Sequence, residues 1–387
     1  MRKIYFVFVL LVFSIYACSD AILTDGPKET LNLPEEPYAY DQLNLPQGTS
    51  PTIFDDFGII NGQPVFSGKM VVTPWGATLG RVLFYDKKLS LNNTVACASC
   101  HHQDKAFSDG KQFSTGFEGR VTTRNSMAII NPILQNNLFW DSRSQTIHDL
   151  SLRPVINHIE MGMDNLDNLV GKLENTDYYK PLFQKAFGSE HISSENISKA
   201  ISQFVASITT NRSRFDISQK DGFTNLNSLE IMGKELFNSD KAKCASCHGG
   251  GNMAAQDGPD GPYGGGGGSF GSPKVDLMGA TNIGLELDYA DNGVGNGRFR
   301  IPSLRNIELT SPYMHDGRFS TLEEVIDHYT NGIKPHKNLD VKFTDGHGNL
   351  KRLDLSSIEK KAIIAFLKTL TDVEMTKDPK WSNPFRS

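Results

Sequence analysis

Apolar residues recur at intervals of three and four along much of the chain, and runs that alternate apolar and polar residues are almost absent. The clearest series follows Ser193-Ser194 and comprises Ile197, Ala200, Ile201, Phe204, Val205 and Ile208. A second series comprises Leu166, Leu169, Val170 and Leu173. Because this spacing lines one face of an α-helix, the sequence predicts a mostly α fold.

Two late helices carry start signals. Ser320 with Glu323 and Ser356 with Glu359 have the spacing of a capping box, in which a serine and a glutamate satisfy each other's backbone N–H groups. The second pair opens an apolar series that predicts a closing helix from Ile358 to Leu370.

The composition narrows the class of protein. The chain has 387 residues, of which 38% are hydrophobic and 21% are charged. A chain of this length and composition can fold as two domains with buried cores. The net charge of −5 excludes a polycation that grips nucleic acid, so we expect no nucleic acid partner.

One apolar run approaches membrane length, from Ile4 to Ala17 behind the basic pair Arg2-Lys3. It is short for a spanning helix and has the layout of a secretory signal. The run ends in Ala17-Cys18, within a sequence that resembles the bacterial lipoprotein box, so we predict a lipoprotein signal peptide over residues 1–18. Ordinary signal cleavage beside a stray cysteine is the alternative. Both predict an exported protein, in the periplasm or at the cell surface, and the first adds a lipid anchor on Cys18.

The remaining four cysteines form two pairs, and both pairs read Cys-Ala-Ser-Cys-His. This is the attachment signature of c-type haem, in which two thiols form thioethers with the haem and the histidine binds the iron. A zinc site or a redox dithiol is the alternative, but zinc sites built from such pairs rarely have a histidine directly after both of them. The sequence predicts two covalently bound c-type haems, on Cys97, Cys100 and His101 and on Cys244, Cys247 and His248.

A repeated frame surrounds the two motifs. Gly80-x-x-Leu83-Phe84 precedes the first pair of cysteines, and Gly233-x-x-Leu236-Phe237 precedes the second. The repeat indicates an internal duplication, so we predict two tandem cytochrome c-type haem domains. Their predicted ranges are 66–222 and 223–375, preceded by a tether and irregular lead-in over 19–65.

Further motifs lie around both haem sites. They are Phe139-Trp140-Asp141-x-Arg143, Ile159-Glu160-Met161, Pro302-Ser303-Leu304-Arg305-Asn306 and Pro312-Tyr313-Met314-His315-Asp316-Gly317. From about Gly80 to Leu370 the chain resembles the bacterial di-haem cytochrome c peroxidases, a superfamily that also contains the MauG enzymes.

The resemblance implies a role for each matching residue. His101 would bind the iron of a peroxide-reacting haem, and His248 that of an electron-entry haem. Glu160 matches a distal glutamate, which can take a proton from bound peroxide and return it to the departing oxygen. Trp140 matches a tryptophan that lies between the haems and passes electrons.

The resemblance also implies a calcium ion between the haems. Asn125 and the main-chain carbonyls of Thr310 and Pro312 match its ligands, and hard oxygen ligands suit calcium.

Two departures from the peroxidases concern the peroxide site. Many relatives carry a blocking histidine sixteen residues beyond the first haem histidine, and here that position is Phe117. An open site that needs no reductive activation is therefore expected, although three other histidines stand nearby in the sequence, namely His102, His148 and His158. Leu150 replaces a glutamine of the peroxidase pocket, which removes a hydrogen-bond donor.

A third departure concerns the second haem. Tyr329 stands fourteen residues after His315, where the peroxidases place a methionine ligand and MauG a tyrosine. Leu322, Val325 and Ile326 share its helix face, so Tyr329 points inward as a core residue or a ligand. Met314 is the rival ligand. Because methionine ligation raises the reduction potential, the two alternatives predict different chemistries.

Three functions are compatible with these residues. The first is a peroxidase that reduces hydrogen peroxide with electrons from a small cytochrome c or a cupredoxin. The second is a MauG-like enzyme that uses peroxide-derived high-valent haem to oxidise aromatic residues of a partner protein. The third is a non-catalytic electron-transfer cytochrome. A homodimer is compatible with all three.

Overall fold

The computed structural model describes residues 30–49, 54–60, 63–69, 71–135, 137–144, 146–254, 279–345 and 347–386, without the side chains of 54–69. The predicted signal peptide 1–18, with Cys18, lies outside the described residues. So does most of the glycine-rich run between Gly249 and Ser272. Within the described part, no helix combines the length and the apolar character needed to cross a membrane.

The described chain is mostly helical. Its α-helices are α1 (Pro74–Tyr85), α2 (Ile147–Ser151), α3 (Leu166–Glu174), α4 (Tyr179–Phe187), α5 (Ser194–Ala206), α6 (Arg214–Ser218), α7 (Ser228–Phe237), α8 (Leu322–Asp327) and α9 (Ser357–Lys368). Short 3₁₀ turns and long loops connect them.

In the described part of the chain, strands form three small antiparallel pairs. They are β1 (Thr30–Leu31) with β6 (Phe385–Arg386), β2 (Phe54–Ile60) with β3 (Gln63–Lys69), and β4 (Ala280–Thr281) with β5 (Phe299–Arg300). The β2–β3 hairpin corrects the expectation of an irregular lead-in over 19–65. The dipeptide Asn61-Gly62 between the two strands is a strong hairpin signal in the sequence, and the helix-based reading missed it.

Most of the predicted helices are confirmed. Ser193 caps α5, and Ser356 with Glu359 forms the capping box of α9. The start of α8 was predicted wrongly by one residue, because its capping box joins Thr321 to Glu324 rather than Ser320 to Glu323. Both pairs have the required spacing, so local sequence could not choose between them.

Two helix pairs repeat the same close packing. A Cβ atom added at Gly80 in α1 would lie 1.9 Å from the main-chain oxygen of Ala200 in α5. A Cβ atom added at Gly233 in α7 would lie 1.9 Å from the main-chain oxygen of Ala362 in α9. Only glycine allows this approach, which explains why glycine opens both copies of the repeated frame.

The aromatic residue of each frame also packs equivalently. The ring of Phe84 lies 5.2 Å from that of Phe204, and the ring of Phe237 lies 5.2 Å from that of Phe366, between centroids. Each pair belongs to a separate hydrophobic cluster. The two halves of the molecule thus share one helix-packing scheme.

Both ends of the described chain pack on the N-terminal half. Tyr40 and Trp381 are each 1% exposed and belong to the same cluster as Phe84. Arg81 joins the two segments, since its Nη1 donates to the hydroxyl of Tyr40 at 3.3 Å and to the carbonyl of Pro379 at 3.1 Å. These contacts attach both ends of the described chain to α1.

Candidate haem and peroxide sites

The first cysteine motif forms a single 3₁₀ turn at Cys97–Ser99. The N–H of His101 donates to the carbonyl of Cys97 at 3.1 Å, which places the imidazole on the same side as both thiols. Neither cysteine is in a disulfide. Burial raises the pKa of Cys97 to about 12 and that of Cys100 to about 11, so both are neutral thiols at pH 7.

The imidazole of His101 is oriented by a backbone carbonyl. Its Nδ1 lies 2.7 Å from the carbonyl oxygen of Phe107. A carbonyl can only accept, so Nδ1 carries the proton and Nε2 keeps its lone pair for a metal. Burial lowers the pKa of His101, which favours the neutral form that binds iron.

A cavity of about 890 Å³ opens beside this turn. Its volume is within the range of about 300–1,000 Å³ that is usual for ligand pockets. The predicted residues that line it are Cys97, Cys100, His101, Trp140, Leu150 and Glu160. The residues present fit a covalently attached haem, because two free thiols and one oriented imidazole face one cavity.

Glu160 lies half-buried in the cavity wall. Its Oε1 accepts a hydrogen bond from Nδ2 of Asn157 at 3.1 Å. Burial raises the pKa of Glu160, and the positive charge of Arg143 opposes the rise. A carboxyl group with a raised pKa can exchange a proton more readily near neutral pH.

An ion-pair chain runs along the same wall. Arg143 binds Asp141 at 2.8 Å, Asp141 binds Arg124 at 2.7 Å, and Arg124 binds Asp291 at 2.5 Å. Burial alone would raise the pKa of Asp141, but its bonds to Arg124 and Arg143 outweigh burial and lower it. The cavity beside Glu160 is therefore polar and charged on one side.

Phe117 does not line this cavity. Its N–H donates to the carbonyls of Ile159 at 2.9 Å and Glu160 at 3.0 Å, and its ring packs over Gly162, where an added Cβ would lie 2.4 Å from the ring. Among the described residues, His101 is the single histidine in the cavity lining. His102, His148 and His158 all lie elsewhere.

The second cysteine motif repeats the first. It forms a 3₁₀ turn at Cys244–Ser246, and the N–H of His248 donates to the carbonyl of Cys244 at 2.8 Å. Nδ1 of His248 lies 3.1 Å from the carbonyl of Pro302, and burial lowers the pKa of the imidazole to about 4. Cys247 joins these residues in lining a second cavity of about 210 Å³, so this half also offers two thiols and a neutral imidazole.

Tyr329 and Met314 both line the second cavity. Tyr329 lies in a π-helical turn, His328–Gly332, directly after α8. Its ring stacks on Phe343 with centroids 5.7 Å apart, and burial raises the pKa of its phenol. The inward orientation expected from Leu322, Val325 and Ile326 agrees with the structure, since all three line the same cavity.

The two cavities share a wall. The residues that line both are Asn125, Ser126, Met127, Ala128, Ile130, Gln135, Trp140 and Arg300. Nε1 of Trp140 donates to the carbonyl of Asn125 at 3.0 Å, which holds the indole within this wall. Trp140 therefore lies in the wall between the two cavities.

The expected calcium ligands lie near one another. The N–H of Asn125 donates to the carbonyl of His315 at 2.8 Å, and Thr310 and Pro312 line the same cavity as Asn125. Nδ2 of Asn125 donates to the carbonyl of Lys111 at 2.9 Å, so the amide oxygen Oδ1 is the side-chain atom that could coordinate a cation. Across the described ranges, no cluster of three or more His, Cys, Asp or Glu residues could hold a metal ion.

Sequence reasoning assigned no role to Arg143, Arg124, Asp291 or Arg300. Arg143 ends the motif Phe139-Trp140-Asp141-x-Arg143, so the sequence did indicate that it belongs to the site, where its charge acts on Glu160. The other three come together only in the folded chain. Arg300 lies two residues before Pro302, and nothing in that spacing predicts that it lines both cavities.

Comparison with known proteins identifies what this arrangement is similar to. Residues 74–222 match the family model described as di-haem cytochrome c peroxidase. The methylamine utilization protein MauG of Methylorubrum extorquens is 30% identical over 304 residues, which cover 77% of this chain and 79% of that protein. The cytochrome c551 peroxidase of Nitrosomonas europaea is 29% identical over 324 residues, or 82% and 87% of the two chains.

A solved structure of a similar protein points to the same family. A MauG-like protein associated with microbial copper homeostasis superimposes with a TM-score of 0.68 at 34% identity. The match covers 81% of this chain and 94% of that one. Peroxidases and MauG enzymes thus both occur among the similar proteins.

Proposed function

This chain belongs to the di-haem cytochrome c peroxidase family, and from that premise we propose that it reduces hydrogen peroxide to water with electrons from a small redox protein. It is an oxidoreductase of the peroxidase type, so the electron-carrier alternative is set aside. The observation that carries the proposal is that Glu160 lines the cavity that also contains His101 and both thiols of the first motif.

The family implies two c-type haems. We propose one on Cys97, Cys100 and His101 and one on Cys244, Cys247 and His248, in tandem cytochrome c-type domains over 66–222 and 223–375. When bound, a haem supplies an iron that accepts peroxide and exchanges electrons. The repeated glycine packing of Gly80 and Gly233 supports the duplication.

Glu160 would move the protons. Its carboxylate would take a proton from the oxygen that approaches the iron and return it to the oxygen that leaves, so that one peroxide, two protons and two electrons give two waters. Arg143 would keep the carboxylate ionised. Trp140 would conduct electrons through the wall that both cavities share.

The electron donor would be a small cytochrome c or a cupredoxin that delivers electrons to the C-terminal haem one at a time. We propose that the enzyme works outside the cytoplasm, in the periplasm or at the cell surface, with Cys18 as its lipid anchor.

Stopped-flow absorption tests the proposal. The purified ferric holoprotein is mixed with one equivalent of hydrogen peroxide, and reduced cytochrome c is added afterwards. A peroxidase forms a short-lived species that cycles only with the reduced cytochrome, at two cytochromes per peroxide. No spectral change, or no cytochrome oxidation, would contradict it.

A MauG-like activity on a partner protein is the second candidate. The observation in its favour is that Tyr329 lines the second cavity at the position where the peroxidases place a methionine. A long-lived species with both haems oxidised, formed without reductant, would identify this activity in the same stopped-flow experiment.

Replacing Tyr329 tests the ligand. If the phenol oxygen binds the iron, Tyr329→Met should raise the ratio of ferrous to ferric C-terminal haem at fixed potential by more than about tenfold, or about 59 mV. Spectroelectrochemical titration measures this ratio. Met314→Leu should leave this ratio unchanged. A ratio that changes in Met314→Leu but not in Tyr329→Met would assign Met314 as the ligand.

A calcium ion on Asn125, Thr310 and Pro312 completes the proposal. Among the described residues, no hydrogen bond ends on Oδ1 of Asn125 or on the carbonyl oxygens of the other two. Chelation with EGTA should lower the thermal unfolding midpoint, and calcium should restore it whereas magnesium should not. An unchanged midpoint would argue against the ion.

A further inference from the structure

Arg300 is a buried cation at the boundary of the two cavities. It is 8% exposed and lines both of them. Burial lowers its pKa to about 10, which still leaves the guanidinium charged at neutral pH. A buried charge is costly unless an opposite charge or a full set of hydrogen bonds compensates for it.

The described residues compensate Arg300 only in part. Nε donates to the carbonyl of Phe139 at 3.2 Å, one terminal nitrogen donates to Oε1 of Gln135, and the other reaches only Sδ of Met127 at 3.4 Å. A guanidinium has five N–H groups and a thioether is a weak acceptor. Within the described ranges no carboxylate forms an ion pair with Arg300.

Two other buried arginines provide a comparison, one with a carboxylate partner and one that lies away from both cavities. Arg305, 1% exposed, binds both oxygens of Asp216 at 2.8 Å. Arg81, 2% exposed, forms no ion pair with a carboxylate of the described residues; its Nη1 donates to three oxygens, its buried Nε has no partner among them, and it lines neither cavity. Arg300 differs from both, because its incomplete side faces space that a ligand can fill.

We propose that Arg300 binds a propionate carboxylate of a haem held in one of the two cavities. A haem carries two such carboxylates, and a carboxylate accepts two guanidinium N–H groups at once. The inference rests on the two haems of the proposed function and adds a residue that the cysteine motifs do not identify.

The same residue positions the bridging tryptophan. The N–H of Arg300 donates to the carbonyl of Trp140 at 2.8 Å, and its Nε binds the carbonyl of the preceding residue, Phe139. A propionate on the guanidinium would thus be connected through one side chain to the backbone that carries the indole. Arg300 is a positioning residue in this role.

Reduction potentials of the holoprotein test the proposal. Loss of the cation favours the ferric haem, so Arg300→Gln should lower the ferrous-to-ferric ratio of at least one haem at fixed potential by about tenfold, or about 59 mV. Arg300→Lys keeps the charge and should recover most of this ratio. It should still shift the propionate bending bands in resonance Raman spectra, since lysine cannot bind both oxygens in the same way.

Electron paramagnetic resonance, which separates high-spin from low-spin haem, shows which haem responds and so which cavity holds the propionate. Arg81→Gln is the matched control for losing a buried arginine, and it should leave both potentials unchanged. Unchanged potentials in Arg300→Gln would overturn the proposal. If that variant does not fold, unchanged propionate bands in Arg300→Lys would overturn it instead.

Haem content separates this test from that of the function. Fewer than two haems per wild-type chain, measured as pyridine haemochrome, would contradict the di-haem premise itself. Two haems with potentials insensitive to Arg300 would contradict only the propionate assignment.

Discussion

The two cavities are alike around the cysteine–histidine motif and differ in the residues that line the rest of each cavity. Each begins with a 3₁₀ turn of Cys-Ala-Ser-Cys-His, and each histidine faces a backbone carbonyl through Nδ1. Beyond that, the first cavity measures about 890 Å³ and has Glu160 and charged residues in its wall. The second measures about 210 Å³ and is lined mainly by apolar and aromatic side chains, with Tyr329 and Met314 as ligand candidates.

This difference suits the division of one reaction between two haem sites that we propose. Peroxide cleavage needs a polar surrounding and a group that moves protons, and the wall of the first cavity supplies charged side chains and Glu160. A haem that only passes electrons needs no open iron site, and the second cavity offers two side chains that could occupy that position. Both cavities keep the same cysteine–histidine turn, whereas the residues that line the rest of each cavity differ.

The largest expected effect concerns Glu160, the group that has no counterpart in the second cavity. Glu160→Gln keeps the shape but cannot accept a proton, so peroxide turnover should fall by about a hundredfold to ten-thousandfold. Steady-state oxidation of reduced cytochrome c measures it.

Glu118→Gln is the control for Glu160. Glu118 is 55% exposed, is ion-paired to Arg120 and does not line the cavity, so its loss should leave turnover unchanged. Undiminished turnover in Glu160→Gln would remove the assigned role and with it the main functional contrast between the cavities.

The shared helix packing should respond equally in both halves. Gly80→Ala and Gly233→Ala each force a Cβ against a backbone oxygen, and each should destabilise its helix pair by about 1–3 kcal/mol. Amide hydrogen exchange should accelerate in α1 and α5 for the first variant and in α7 and α9 for the second.

Gly171→Ala in α3 is the matched control for these glycines. An added Cβ there meets nothing within 4 Å, so alanine should stabilise the helix by up to about 1 kcal/mol. Faster exchange in both halves from either overpacked glycine would show that the two helix pairs do not unfold independently.

The smallest expected effect concerns Arg143. Its charge opposes the rise that burial causes in the pKa of Glu160, so Arg143→Gln should raise that pKa further and leave less ionised carboxylate at low pH. The acidic limb of the pH–rate profile should move to higher pH, with turnover lowered by at most about fivefold there, because Arg143 is 39% exposed and solvent screens it.

At high pH, where Glu160 is fully ionised, the Arg143→Gln variant and the wild type should have equal rates. Arg143→Lys should restore the wild-type profile, and Arg120→Gln should not change it. A uniform loss of rate at all pH values would indicate that Arg143 acts on something other than the ionisation of Glu160.

Local patterns predicted a large part of this molecule. The helices α3, α5 and α9 follow from apolar spacing, and the cap at Ser356 follows from Glu359 three residues later. The apolar spacing did not predict the hairpin β2–β3, although the dipeptide Asn61-Gly62 is a hairpin signal. The start of α8 was missed because two neighbouring residues offered the same capping spacing.

Local sequence was enough to predict the haem-attachment motifs and their duplication, and to place the inward face of α8, because each depends on residues within a few positions of one another. Only the tertiary structure decided which side chains meet across the chain. The shared wall brings Trp140 against Arg300, 160 positions further on, through a hydrogen bond of 2.8 Å. Among the described residues, the burial of Arg300 without a carboxylate partner and the position of Phe117 away from the first cavity depend on long-range packing, for which short sequence patterns carry no signal.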